Sequence, residues 1–219
     1  SARESGPALL LALKLLAVKE KINIGCCCVN HHLRAAAGKE AEFVESVCRE
    51  WNIPFILKEV DVQSTVRNGG SIETAARDLR YKALREAARG GRYAKIAVAH
   101  HGDDQAETVL YHLLRGSGVT GLSGMKPING DIIRPFLCVS KNEIKDFLKD
   151  FSYVPCHDES NDVEDAVRNR IRLSLVPELI SYNPRVTESL RRTADIFREE
   201  DLFMEEKADV FISSCVEHD

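Results

Sequence analysis

Residues 97–110, AVAHHGDDQAETVL, gather His100, His101, Asp103, Asp104, Gln105 and Glu107 into eight consecutive positions. Residue types in this pattern support three chemistries. Carboxylate oxygens are hard ligands that bind Mg2+ beside the phosphates of a nucleotide. Histidines donate hydrogen bonds to phosphate or carry protons near neutral pH. Acids at a helix start also satisfy its free N–H groups and suit its positive dipole end. On that last reading Asp103 caps the helix, and Asp104 and Glu107 fit its first turn. A structural zinc site lacks the cysteines to complete it.

Three further stretches carry comparable groups. VNHHLR (29–34) places Asn30, His31, His32 and Arg34 directly after an apolar run, and the Asn30 amide can read a base edge. SIETAARDLRYKAL (71–84) carries Glu73, Arg77, Arg80 and Tyr81. Glu73 and Arg77 either pair along a helix or leave Arg77 or Arg80 to reach phosphate. HDESNDVEDAVRNRIR (157–172) runs from acids to Arg168, Arg170 and Arg172. The acids would receive a cationic substrate group and the arginines a nucleic-acid backbone. The alternative is an ion-paired, solvated helix face.

Alternating elements must position these groups. Apolar spacing predicts helices over 7–20, 38–52, 71–90, 103–116 and 140–151, and a long charged helix from 186. Ser140 followed by Glu143 has the form of a capping box. Short apolar runs predict strands over 22–30, 53–62, 93–100 and 131–139. Residues 116–130 are glycine-rich and predict a shaped loop. Strands alternating with helices imply an α/β fold, a doubly wound parallel sheet with helices on both faces and a C-terminal helical extension. Such sheets bind ligands at the carboxyl ends of their strands, where VNHHLR and AHHGDD fall.

Composition narrows the function classes. The net charge of −4 makes any nucleic-acid contact a local patch rather than a property of the whole surface. No apolar run approaches the roughly 20 residues that span a bilayer, so no membrane partner is expected. Seven cysteines occur with no C-x-x-C pair, which argues against iron–sulfur chemistry. Cys26, Cys27 and Cys28 read as buried small hydrophobes of a reducing, cytoplasmic compartment.

In this order, VNHHLR, ETAARDLRYKAL, AHHGDDQAETVLYHLLRGSGVTGLSGM, IIRPFL, DESN, RNRIRLSLVPEL and NPRV resemble the tRNA(Ile)-lysidine synthetase family of N-type ATP pyrophosphatases. The resemblance implies a carbon–nitrogen ligase. ATP and Mg2+ adenylate carbon-2 of the wobble cytidine in tRNA(Ile) with a CAU anticodon. L-lysine then displaces AMP, and lysidine forms. It implies catalytic roles for His100, Asp103, Asp104, Gln105 and Arg115, with Asp103 and Asp104 holding metal. ATP would meet Ser1, Ala2, Arg3, Ser5, Gly6, Asn30, His31, Arg77 and His101, with Tyr81 on the helix bordering the site. Lysine and the reacting base fall to Asp158, Ser160 and Asn161, and tRNA to Arg168, Arg170 and Arg172.

The family's phosphate loop, Ser-Gly-Gly-x-Asp-Ser, is matched here by SARESGPALL, so the first strand and that loop are expected to be missing or altered. The organisation expected is a catalytic domain over 1–185 and a helical extension over 186–219 leading to absent tRNA-binding domains. Homodimerisation is left open. The competing readings are an inactive or truncated nucleotide- or tRNA-binding module and another tRNA-modifying ATP pyrophosphatase.

Overall fold

A computed structural model describes residues 2–31, 37–62, 72–151 and 166–215. The chain divides into two compact units. One comprises Ser1–Ala99, Ile128–Ile133 and Phe147–Glu159, the other His100–Pro127, Arg134–Asp146 and Ser160–Asp219.

The first unit opens with helix α1 (Ala2–Glu20), which starts five residues earlier than the apolar spacing predicts and carries Pro7 inside it. Pro7 lies just past the first turn, so its missing N–H forfeits one intrahelical bond and does not end the helix. Strand β1 (Cys26–Asn30), helix α2 (Ala37–Glu50) and strand β2 (Phe55–Glu59) follow. The strands pair in parallel, from Cys26 opposite Phe55 to Asn30 opposite Glu59, with α2 as the crossover that parallel pairing requires. Both strands are shorter than predicted. Pro54 has no N–H to give a ladder, and its carbonyl accepts the Cys26 amide at 2.8 Å. Gly25 lies against the Tyr93 phenol, which an added Cβ would run into. Leu10, Cys48 and Ile53 form a buried cluster against which Ile24, Cys26, Val44, Trp51 and Phe55 pack. Cys26 is thus core, and the six described cysteines are all free thiols.

Helix α3 (Ile72–Gly90) leads to strand β3 (Ile96–Ala97). Strand β5 (Ile132–Ile133) lies parallel to β3 and antiparallel to β4 (Ile128–Asn129). The α/β class with parallel strands and helices between them is as expected. The expected strand over 131–139 is corrected: it stops after Ile133, and a 3-10 turn occupies Pro135–Cys138. Pro135 cannot donate to a ladder, so pairing ends there. Part of the predicted loop is instead a hairpin, with Gly130 at φ +60 between β4 and β5.

In the second unit, helix α4 (Gly102–Leu114) is followed by the short helix α5 (Val119–Leu122). Helix α6 (Lys141–Asp150) begins in this unit, and its start is capped as predicted. The Ser140 amide and hydroxyl donate to Glu143 Oε2, both at 2.7 Å, and the Glu143 amide donates back to the hydroxyl at 3.2 Å. Helix α7 (Ala166–Arg170) widens over Ile171–Leu175 before α8 (Val176–Tyr182). The wide turn precedes Pro177, whose ring would clash with the Leu173 carbonyl in a regular helix. Helix α9 (Val186–Cys215) packs along α4 and α5. Asp201 is buried there and accepts the Thr120 hydroxyl at 2.7 Å.

Gly124 has φ +65, and a Cβ added there would meet Gln105 Nε2 at 2.7 Å. Gly124→Ala is expected to destabilise the protein by about 2–3 kcal/mol, adding a clash to the left-handed backbone cost. Gly116, at φ +75, has nothing within 4 Å of an added Cβ. Gly116→Ala should therefore cost only about 1 kcal/mol. Urea denaturation of the two variants checks the difference.

Candidate active site

The N-terminus of α4 is built from its own side chains. The residue at the cap is His101, in extended backbone at φ −122, and Asp103 is the second residue of the helix. This corrects the expectation that Asp103 caps. The His101 amide donates to Asp104 Oδ2 at 3.0 Å. The His101 side chain is 3% exposed. It lies between two carboxylates, Nδ1 3.5 Å from Asp103 Oδ2 and Nε2 3.5 Å from Asp104 Oδ2. Asp103 Oδ2 also accepts the Lys141 amide at 2.6 Å, and the Gly102 amide donates to the Val139 carbonyl at 2.7 Å. Burial pushes the Asp103 carboxyl up, but His101 and the amides of Lys141 and Asp103 together outweigh it. The net direction is down, which keeps Asp103 ionised at neutral pH.

Behind this turn lies an ion-pair network that sequence reading missed. Arg172, on the wide turn after α7, binds Glu107 with two bonds, Nε to Oε1 at 2.7 Å and NH2 to Oε2 at 2.8 Å. The same NH2 lies 3.4 Å from Asp104 Oδ1. Arg172, expected to meet tRNA, thus holds two carboxylates of α4. Its partner is 65 positions away, so no local signal could find it. Gln105, expected to be catalytic, is 2% exposed. Its Oε1 accepts the Met125 amide at 2.8 Å, and its Nε2 donates to the Ser123 and Met125 carbonyls at 3.3 Å. Arg198 of α9 donates to the same two carbonyls at 3.3 Å.

At the other end of α4, Arg115 donates to the Tyr111 hydroxyl at 2.6 Å. The guanidiniums of Arg115 and Arg168 both lie over the Tyr111 ring, 5.2 and 5.5 Å from its centroid. Cations are drawn to such a ring face. The four-residue spacing of Tyr111 and Arg115 was a readable signal. Arg170 is exposed, and His100 is half-buried.

In the first unit, Asn30 ends β1 and His31 follows it. Burial lowers the His31 pKa, and the positive charge of Arg80 lowers it further. His31 is therefore expected to titrate below the usual histidine value of about 6.5. The neutral form is favoured in the fold, so its contribution to stability is lost as pH falls below about 6.5. NMR titration of the imidazole checks this; a midpoint at or above that value contradicts it. Arg77 and Arg80 of α3 lie over the Tyr81 ring, 5.1 and 5.6 Å from its centroid. Tyr81 is 8% exposed, so this ring anchors the two arginines from within the unit. Ala2, Arg3, Ser5 and Gly6 belong to the first turns of α1, not to a loop, and Ser5 is buried. Ser1, His32, Arg34, Asp158, Ser160 and Asn161 lie outside the described residues, as does the Glu73 side chain.

Among the described residues, no group of three or more His, Cys, Asp or Glu side chains is arranged to hold a metal ion. No helix of the described residues is long and apolar enough to cross a membrane.

The model of the PP-loop domain family matches residues 5–179. The chain belongs to the PP-loop domain family. Within that family it is similar to proteins named tRNA(Ile)-lysidine synthase. That of Caldanaerobacter subterraneus subsp. tengcongensis is 41% identical over 217 residues, 96% of this chain and 46% of the relative. That of Petrotoga mobilis is 39% identical over 199 residues, 88% and 63% of the two. The bifunctional protein TilS/HprT of Listeria monocytogenes serotype 4b is 38% identical over 195 residues, 87% and 30%. The chain spans about half the length of the first of these relatives. Among solved structures, the U34-tRNA thiolase NcsA of Methanococcus maripaludis, with its [4Fe-4S] cluster, superposes with a TM-score of 0.73. At 14% identity, over 91% of this chain and 70% of that one, the likeness is one of fold. In this PP-loop domain the family match takes in the whole α4 cluster and Ser5, and leaves out Ser1, Ala2 and Arg3.

Proposed function

We propose that this PP-loop domain is the catalytic part of a cytoplasmic tRNA(Ile)-lysidine synthetase. The cytidine at the wobble position of tRNA(Ile) with a CAU anticodon attacks the α-phosphorus of ATP through its carbonyl oxygen, and pyrophosphate leaves. The ε-amine of L-lysine then attacks carbon-2, and AMP leaves. The observation that carries this reading is the 41% identity over 96% of the chain to a protein of that name.

The resemblance supports the following division of labour. His101 and Asp103, at the start of α4, would face the reacting phosphates. Gln105 and Arg172 would hold that turn and its neighbouring loop in place. Ser1, Ala2, Arg3, Ser5 and Gly6, with Asn30, His31 and Arg77, make up the proposed nucleotide set. Arg115 would act in catalysis, Arg168 and Arg170 would meet tRNA, and Asp158, Ser160 and Asn161 lysine and the base. Residues 186–219 would lead toward further tRNA-binding domains.

Mg2+ accepts one or two protein carboxylates, with phosphate and water oxygens completing its shell. Asp103 fits this demand: its side chain is 32% exposed and its pKa is lowered. Asp104 fits less well, since its oxygens face the His101 amide and Arg172. When bound, the ion would offset the charge of the phosphates.

Pyrophosphate release tests the proposal. With ATP and Mg2+ present, release should require tRNA(Ile), and sustained release should also require lysine. Nucleotide or tRNA binding without release in any mixture would instead favour a non-catalytic binding module.

A further inference from the structure

Arg134 is 7% exposed, yet it forms no ion pair among the described residues. Its NH1 donates to the Lys126 carbonyl at 2.7 Å, and its Nε is sealed from solvent without a partner. A guanidinium has five N–H donors and does not deprotonate in proteins. Burying that charge without a counter-charge is unfavourable. Two other arginines of this unit that are largely shielded from solvent do meet carboxylates: Arg172 faces Glu107 and Asp104, and Arg198 faces Asp195 at 2.7 Å.

Arg134 is also held in position. Its amide donates to the Pro127 carbonyl at 2.8 Å, and Pro135 fixes the backbone that follows. It leaves β5 at that strand's carboxyl end, beyond the Val98 amide's 3.0 Å bond to the Ile133 carbonyl. Ligands of α/β sheets bind at that end. A buried guanidinium at such a place, with no counter-charge among the described residues, is suited to an anion with paired oxygens.

We propose that Arg134 is an anion-binding residue that takes paired oxygens of a substrate. The proposed function supplies two sources for that chemistry, a nucleotide phosphate and the α-carboxylate of the amino acid, and the inference rests on that reading for this choice alone.

Calorimetric titration of the full chain with ATP, inorganic pyrophosphate and L-lysine tests it, comparing wild type with Arg134→Gln and Arg134→Lys. In Arg134→Gln with an unchanged far-UV spectrum, affinity for one source should fall about tenfold or more. Loss of ATP and pyrophosphate binding marks the phosphate; loss of lysine binding alone marks the carboxylate. Arg134→Lys, which keeps the charge but not the fork, should lose less. If Arg134→Gln does not fold, a severalfold loss in Arg134→Lys supports the inference and unchanged affinity overturns it. Variants that bind all three ligands within twofold of wild type overturn it, as does a wild type that binds none of them. A wild type that makes lysidine alongside an Arg134→Gln with normal affinities sinks this inference alone. Arg134-dependent ATP binding without pyrophosphate release sinks the proposed function alone.

Discussion

Arg172→Met is expected to lower the unfolding free energy by about 2–4 kcal/mol, among the largest effects of any single side chain in this protein. The guanidinium binds both oxygens of Glu107, a residue 8% exposed, and lies 3.4 Å from Asp104. Methionine keeps most of the stem but leaves the Glu107 carboxylate buried with no counter-charge. Breaking a buried pair from one side costs about 3–5 kcal/mol. The Arg172 side chain is 29% exposed, which tempers the value through solvent screening. The double variant Glu107→Gln/Arg172→Met should recover at least half of the loss, because the Glu107 charge is then gone and Asp104 keeps the His101 amide. Urea denaturation of the three variants gives the comparison. A single variant within about 0.5 kcal/mol of wild type would show that the pair contributes nothing measurable.

Gln105→Leu is expected to cost about 2–3 kcal/mol. Leucine matches the size of glutamine but offers the Met125 amide no acceptor, and that bond is 2.8 Å long in a buried place. The Ser123 and Met125 carbonyls keep Arg198 at 3.3 Å, so the loss falls mainly on the one amide. Gln105→Glu should be worse at neutral pH, since a buried carboxylate would face two carbonyl oxygens. Hydrogen exchange at the Met125 amide separates this account from a general loosening. The exchange rate at Met125 should rise by more than at amides of α1, in the other unit. Equal increases in both places would contradict a local clamp.

The helices were legible because their apolar spacing is strong. Residues 38–52, 71–90 and 103–116 differ from α2, α3 and α4 by at most two residues at either end. The strands were legible in kind but not in extent. Pro54 and Pro135 cut two of them short, which the prolines themselves signal. The β4–β5 hairpin carries an Asn129-Gly130 turn signal between isoleucines and was legible in principle. The α4 cluster was visible as a set of chemical residues, but their division of labour was not. Histidine is an uncommon cap, so Asp103 took that place in the reading. Gln105 looked catalytic from its company, whereas its partners are backbone atoms 18 and 20 positions away. Arg172 and Arg134 declare their surroundings only once the chain is folded.

The most direct test of the central claim is transfer of labelled L-lysine to tRNA(Ile) with a CAU anticodon, followed by nucleoside analysis. The account predicts ATP-dependent label at the wobble cytidine, with none on a tRNA whose wobble base is uridine, and a large loss of label in Asp103→Asn. A folded chain that binds ATP and this tRNA yet leaves the cytidine unlabelled would contradict it.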